Sequence, residues 1–289
     1  MNIDEVINYI YKKLKDANEL NAMQKAWWII EAVTKKNQTQ LLAEKNFFLS
    51  EIELSKVDLF LKKYINNHMP LQYLIGTVPF LDLEILVESP VLIPRPETEY
   101  WCHELITILK KLENKKIEIL DMATGSGCIA LAIAKALPEA SVFGVDISSK
   151  AITLAKKNLS HNKITNVNFI ESDLFENINK KFDLIVTNPP YIDENLYEKL
   201  DLSVKNWEDS RALICNDEGL KIIKQIIKDS HNFLKFNDEF FKKKVPQLVI
   251  EIDCNQASAV KECLIQNQFF NVEINKDLQG KDRVVYSRR

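Results

Sequence analysis

The run Asp121-Met122-Ala123-Thr124-Gly125-Ser126-Gly127-Cys128-Ile129-Ala130 joins a short strand-forming stretch, Ile117-Glu118-Ile119-Leu120, to a helix-forming one over residues 128–137, stopped by Pro138. A strand that ends in a glycine-bearing turn and re-enters as a helix is the opening unit of a doubly wound α/β sheet. Glycine is scarce in this chain: average usage would place about 20 in this length, and there are six. Two of the six stand one residue apart at Gly125 and Gly127. A glycine turn at a strand's carboxyl end lets the backbone approach a ligand that a side chain would block. Asp146 follows 19 residues after Gly127, closing the next strand-like run at residues 141–145. A carboxylate there is suited to the two hydroxyls of a ribose.

Outward from this unit the pattern alternates. Strand-like runs recur at residues 167–170, 184–187 and 247–252, with helical periodicity between most of them. That spacing predicts a mostly parallel sheet covered on both faces. Residues 269–274 and 283–287 are two further runs with a short polar connection, as an antiparallel closing pair requires. Residues 1–67 differ. They contain no Gly or Pro, and Ile3, Val6, Ile7, Ile10 and Leu14 recur at helical spacing. Ser50 with Glu53 forms a capping box before Val57, Phe60, Leu61 and Tyr64. Trp27 and Trp28 are expected in the core of this bundle. Between the two regions, five of the nine prolines fall in residues 70–96, around the alternating stretch Phe80-Leu81-Asp82-Leu83-Glu84-Ile85. The expected organisation is a helical substrate-docking bundle (1–75), a β-hairpin and proline-rich linker (76–98), and an α/β domain (99–289).

Composition narrows the partners. With 46% hydrophobic and 27% charged residues, the chain reads as an ordinary globular protein. Its net charge of −3 lacks the basic surplus of proteins that hold long nucleic acid through phosphates. No apolar run reaches the roughly 18 residues of a membrane span. The opening Met1-Asn2-Ile3-Asp4-Glu5 is acidic and unlike an export signal. Five cysteines without a CxxC pair read as reduced thiols, so a cytoplasmic location is expected. His68, His103, His161 and His231 show no ligand spacing, and no metal is expected.

Two cofactors remain open from the first motif. Gly125-x-Gly127-x-x-Ala130 satisfies a dinucleotide fingerprint. Asp121, however, sets a carboxylate beside the turn, which would repel a pyrophosphate and favour a cationic ligand such as S-adenosylmethionine. A second motif, Asn188-Pro189-Pro190-Tyr191, follows the apolar run Leu184-Ile185-Val186-Thr187 and so lies at a neighbouring carboxyl end. Two prolines remove two N–H donors and leave carbonyls free. Asn188 adds a side-chain carbonyl and Tyr191 an aromatic face. Two acceptors and a flat face suit a planar NH₂ group, an amide or the exocyclic amine of a base. Aiming the lone pair of so poor a nucleophile at a methyl group is catalysis by positioning.

Residues 121–127, Asp146 and Asn188-Pro189-Pro190-Tyr191 together resemble the class I S-adenosylmethionine-dependent amino-methyltransferases. The segment Val91-Leu92-Ile93-Pro94-Arg95-Pro96-Glu97-Thr98-Glu99 narrows the resemblance to the bacterial release-factor glutamine methyltransferases, the PrmC/HemK family. Further similarity lies at Pro70-Leu71-Gln72-Tyr73-Leu74-x-Gly76, at Glu251-Ile252 with Gln256, and at Asp282-Arg283-Val284-Val285. The resemblance implies a Rossmann-like seven-stranded sheet and methyl transfer to the glutamine of the Gly-Gly-Gln motif in class I peptide-chain release factors. It places the cofactor at Asp121, Ala123, Thr124, Gly125, Ser126, Gly127, Asp146, Asp173, Leu174 and Asn188. Asn188, Pro189, Pro190 and Tyr191 are carried over as substrate-binding, with Asn188, Pro189 and Tyr191 catalytic. Arg95 and Glu97 either pair with other charges or line the substrate groove, and the second is preferred. Many members carry an aromatic residue where this chain has Leu174, and Glu-Pro where it has Glu208-Asp209. The chain is expected to act as a monomer without a stable nucleic-acid or membrane partner. The rivals are methylation of a base amine, a non-catalytic cofactor-binding module docking on the translation machinery, and last a dehydrogenase.

Overall fold

Apolar residues at three- and four-residue spacing give the first helices their buried face. In α1 (Ile3–Asp16) the buried residues are Ile3, Val6, Ile7, Ile10 and Leu14, and an Asn2/Glu5 capping box satisfies the first free N–H groups. The computed structural model describes residues 1–44 and 47–289. Helices α2 (Ala22–Thr34), α3 (Gln38–Ala43), α4 (Glu51–Leu61) and α5 (Leu71–Ile75) complete the helical unit around one apolar cluster. The Ser50/Glu53 box caps α4 as expected. Trp28 departs from expectation: it is 43% exposed, because Ala26, Ile29, Ile30 and Val33 occupy the inward face of α2. This unit comprises Met1–Thr77 and also Asp201–Trp207, a later segment whose Trp207 indole donates to the Asn67 carbonyl at 3.0 Å.

The second unit, Val78–Leu200 with Glu208–Arg289, carries the sheet. Strands β1 (Thr77–Phe80) and β2 (Leu83–Leu86) pair as a hairpin. Strands β3 (Glu118–Met122), β4 (Ser141–Asp146), β5 (Val167–Glu171), β6 (Leu184–Thr187), β7 (Leu248–Glu251), β8 (Phe270–Lys276) and β9 (Asp282–Arg288) form one seven-stranded sheet in the order β5-β4-β3-β6-β7-β9-β8. Strands β3 to β7 are mutually parallel, and β9 runs antiparallel between β7 and β8. All four residues of β6 and of β7 are buried, as central strands covered on both faces must be. The expected Rossmann-like sheet with an antiparallel closing pair is therefore present. The strand order reverses between β3 and β6, so a crevice opens at the carboxyl ends of β3, β4 and β6.

Helix α6 (Pro96–Leu109) begins inside the segment expected to be linker, with Pro96 in its first turn. Proline suits that position, since its missing N–H would have no partner there and its φ is already helical. Helices α7 (Cys128–Ala136) and α8 (Ser149–His161) follow β3 and β4. A fully buried Asn158 on α8 fastens the hairpin to the glycine turn. Its Oδ1 accepts from Leu86 N, and its Nδ2 donates to the carbonyls of Leu86 and Ser126. Among the described residues no helix is long and apolar enough to cross a membrane.

Candidate active site

A cavity of about 340 Å³ occupies the crevice, lined among others by Ala123, Gly125, Asp146, Asp173, Leu174, Asn188 and Pro190. That volume lies within the range of small-molecule sites. Six of the ten expected cofactor residues thus face one space.

Asp121, Thr124, Ser126 and Gly127 do not line it. Strand β3 runs one residue past Asp121, which puts that side chain inside the sheet and leaves it 0% exposed. Asp121 Oδ2 accepts from Thr124 Oγ1 at 2.6 Å and from Ala130 N at 3.1 Å, holding the turn against the start of α7. Thr124 and Ser126 are buried supports. Gly127 has φ +83°, and a Cβ there would stand 2.8 Å from Phe169 Cζ. At Gly125, by contrast, a Cβ would meet nothing within 4 Å: its open side belongs to the cavity.

Asp146 keeps a fixed pose at the end of β4. Its Oδ2 accepts from Gly125 N and its Oδ1 from Ser148 N, each at 2.9 Å, and each oxygen keeps a further lone pair for a hydroxyl. Asp146→Ala is expected to weaken binding of S-adenosylmethionine by about 1–3 kcal/mol, the scale of hydrogen bonds to a charged group; titration calorimetry measures it, and unchanged affinity contradicts it.

The second motif reaches the cavity through Asn188 and Pro190, whereas Pro189 and Tyr191 do not line it. Asn188 Oδ1 and the Pro189 carbonyl accept no hydrogen bond among the described residues. Asn188 Nδ2 donates to Thr98 Oγ1 at 3.1 Å. The Tyr191 hydroxyl donates to Glu251 Oε1 at 3.3 Å, and the Tyr191 carbonyl accepts from Gln256 Nε2 at 2.9 Å. Burial pushes the Glu251 carboxyl up, against the hydrogen bonds of Thr98, Trp101 and Tyr191 and the charge of Arg283. Arg95 lies elsewhere: its guanidinium makes a two-oxygen contact with the buried Glu208 at 2.6–2.8 Å, so ion pairing takes the group that sequence reading gives to the groove. Glu97, in the first turn of α6, does not line the cavity either. Arg211 and Ile147 line the cavity, and Thr98 and Trp101 are hydrogen-bonded beside it, in places that sequence reading does not assign. Ile147 carries a sequence signal only in its place directly after Asp146; that it is exposed and lines the cavity is seen in the fold. No group of residues that could hold a metal ion occurs among the described residues.

Residues 5–76 match the PrmC N-terminal domain and residues 104–235 the methyltransferase small domain. A release factor glutamine methyltransferase of Fusobacterium nucleatum is 37% identical over 99% of this chain and 78% of its own length. The chain belongs to the release factor glutamine methyltransferases. Two further members of this family, from Thermodesulfovibrio yellowstonii and Lactococcus lactis, are each 35% identical, covering 98% and 97% of this chain and 95% and 97% of their own lengths. Among solved structures, the hMettl16 catalytic domain in complex with a MAT2A 3′UTR hairpin aligns with a TM-score of 0.55 at 17% identity, covering 81% of this chain and 80% of that one. A methyltransferase from Pyrococcus furiosus aligns at 0.51 and 16%, covering 72% and 89%. These two likenesses show the fold alone.

The methyl donor of this methyltransferase is S-adenosylmethionine, and the cavity fits it. Asp146 presents lone pairs for a ribose, and Gly125 leaves its open side to the ligand. Asp121 Oδ1 is a buried acceptor with no partner among the described residues, set behind the glycine turn where its charge acts on a cationic ligand through the turn rather than by contact. Burial raises the Asp121 carboxyl to about 7, with Asp146 adding to the shift and the bonds from Thr124 and Ala130 opposing it. The sign follows from linkage. A cationic ligand favours the carboxylate, so the complex holds this proton less tightly than the free protein. Affinity is expected to be full above pH 7 and to fall by about tenfold per pH unit just below it. Asp121→Asn should flatten that profile; calorimetry between pH 5.5 and 8.5 checks both, and a wild-type profile as flat as the variant's contradicts the assignment.

Proposed function

We propose that this chain methylates the side-chain amide nitrogen (N5) of the glutamine in the Gly-Gly-Gln motif of class I peptide-chain release factors. One observation carries the reading: Asn188 lines the cofactor cavity, and its Oδ1 and the carbonyl of the adjoining Pro189 are two acceptors that take no hydrogen bond among the described residues. An amide NH₂ has two hydrogens and a delocalised lone pair. Binding both hydrogens fixes the nitrogen's orientation and turns its lone pair to the methyl group, so the encounter is paid for in binding rather than in the chemical step. When bound, S-adenosylmethionine supplies a methyl carbon attached to a sulfonium leaving group. Asp146 holds the ribose, the glycine turn admits the ligand to the backbone, and Asp121 offsets its positive charge. Tyr191, pinned at its hydroxyl and its carbonyl, gives the substrate side a rigid wall. No side-chain base is needed, because an amide nitrogen that has gained a methyl group is acidic enough to release its proton to water.

On this reading the helical domain (1–75) docks the folded protein substrate, the hairpin and linker (76–98) join it to the catalytic domain (99–289), and the enzyme works as a monomer in the cytoplasm without a stable nucleic-acid partner. A short Gly-Gly-Gln peptide is expected to show kcat/KM at least roughly tenfold below that of intact release factor, because remote binding energy is missing. Steady-state assays on both substrates test this, and equal values remove the docking role. Replacing the release factor's own glutamine by glutamate should abolish methyl transfer; transfer that persists would refute the proposed acceptor.

A further inference from the structure

Thr98, Trp101 and Glu251 lie behind Asn188, and all three are at most 2% exposed. Thr98 Oγ1 donates to Glu251 Oε2 at 2.6 Å, and Trp101 Nε1 donates to the same oxygen at 2.7 Å. The other carboxylate oxygen takes the Tyr191 hydroxyl. An indole N–H can only donate, so Glu251 Oε2 is an acceptor. A threonine hydroxyl has a single hydrogen, and here it is committed to Glu251. Thr98 Oγ1 can therefore only accept from Asn188. The Asn188 amide must turn its NH₂ toward Thr98, and its carbonyl is left for the cavity side.

This matters because the two ends of an asparagine amide are nearly equal in size and opposite in hydrogen-bonding sense. A flipped Asn188 would set an NH₂ against the NH₂ of the substrate, donor against donor. It would also set two acceptors, its own carbonyl and the lone pairs of Thr98, against each other. We infer that Glu251 acts through Thr98 as a positioning residue that fixes the acceptor end of Asn188 toward the substrate amide. The inference rests on the reading of Asn188 as an amide acceptor. The device spans three separate parts of the chain: the first turn of α6, the end of β6 and the end of β7. The same carboxylate holds the Tyr191 side chain, so one buried group sets two residues of the motif.

Hydrogen-bond direction rather than charge is the operative property, and substitutions separate the two. Thr98→Val keeps shape and removes the hydroxyl; kcat on release factor is expected to fall about tenfold or more, the scale of leaving a polar group without its partner. Thr98→Ser restores the hydroxyl and should stay within about threefold of wild type. Glu251→Gln can still offer an oxygen to Trp101 and Thr98 and an NH₂ to the Tyr191 oxygen, and should lose far less than Thr98→Val. In an Asn188→Ala background, Thr98→Val should cost nothing further, since residues that act in series are not additive. A second readout needs neither substrate nor turnover. In the free protein, NMR of ¹⁵N-labelled asparagine should show a protected Asn188 Nδ2 proton in wild type and Thr98→Ser, and loss of that protection in Thr98→Val. Wild-type kcat in folded Thr98→Val, equal losses for Val and Ser, additive losses in the Asn188→Ala background, or an unprotected Asn188 amide in wild type would each overturn the inference. If wild type transfers no methyl to the release factor's glutamine, the functional reading fails, and the NMR arm still decides how Asn188 is held.

Discussion

Asn188→Ala is expected to lower kcat on intact release factor by about 10²–10³, the cost of removing one preorganised partner in an enclosed site. The substitution removes the Oδ1 acceptor and leaves the Pro189 carbonyl alone to hold a group that can rotate about a single hydrogen bond. The fold has little stake in this side chain, whose one hydrogen bond among the described residues is to Thr98. The thermal midpoint should therefore stay close to wild type. Affinity for S-adenosylmethionine should change far less than kcat, because the missing carbonyl serves mainly the substrate. Asn188→Asp separates acceptor from charge. It keeps an oxygen, but it removes the donor that Thr98 accepts and adds a negative charge near a cationic cofactor. It should bind cofactor at least as well and still turn over slowly. Single-turnover assays with calorimetry measure both quantities, and near-normal turnover in Asn188→Ala would refute the two-acceptor clamp.

Gly219→Ala should be the most destabilising single methyl group in the catalytic unit. Gly219 has φ +80°, and a Cβ built there would stand 2.0 Å from the Tyr191 carbonyl oxygen and 2.5 Å from Gln256 Nε2. The left-handed backbone costs a non-glycine residue roughly 1–2 kcal/mol, and forcing a methyl into packed atoms costs about 1–3 kcal/mol more. The clash falls on backbone, so no side-chain rotation relieves it. The Tyr191 carbonyl would have to move, breaking its bond from Gln256 and shifting the whole Asn188-Pro189-Pro190-Tyr191 turn. A loss of about 2–5 kcal/mol in urea denaturation is expected, together with a fall in kcat. Gly280→Ala is the control: φ is +78° there as well, but nothing lies within 4 Å, so only the backbone strain remains. Equal losses at the two positions would show that the contact with Tyr191 carries no weight.

Much of the sheet was legible because β-forming and helix-forming runs alternate in sequence, and the sparing use of glycine marks the turn at Gly125 and Gly127. Pattern alone does not say where a strand stops. The sequence reads as a strand ending at Asp121 with its carboxyl facing the turn, whereas the strand runs on to Met122 and carries that carboxyl inside the sheet. The places of Asp146 and Asn188 at the cavity were legible because each is a polar residue at the end of an apolar run. Thr98 and Glu251 were harder. Glu251 closes a strand whose neighbours Leu248, Val249 and Ile250 are all buried, and nothing in the linear order links it to residues 98, 101, 188 and 191. Arg95 shows the opposite failure. Its place in a proline-rich signature drew it toward the substrate, while its partner Glu208 lies 113 residues away and is visible only in the folded chain. Segment 201–207 joins the helical unit for the same reason, through contacts distant in sequence.

The central claim is that the two acceptors at Asn188 and Pro189 serve a glutamine amide. Tandem mass spectrometry of intact release factor, incubated with this protein and S-adenosylmethionine, tests it most directly. The expected result is a single added methyl group on the side-chain nitrogen of the Gly-Gly-Gln glutamine, formed by wild type and nearly absent with Asn188→Ala. A methyl group on any other residue, or none on release factor while a nucleic-acid base amine in the same reaction is methylated, would contradict it.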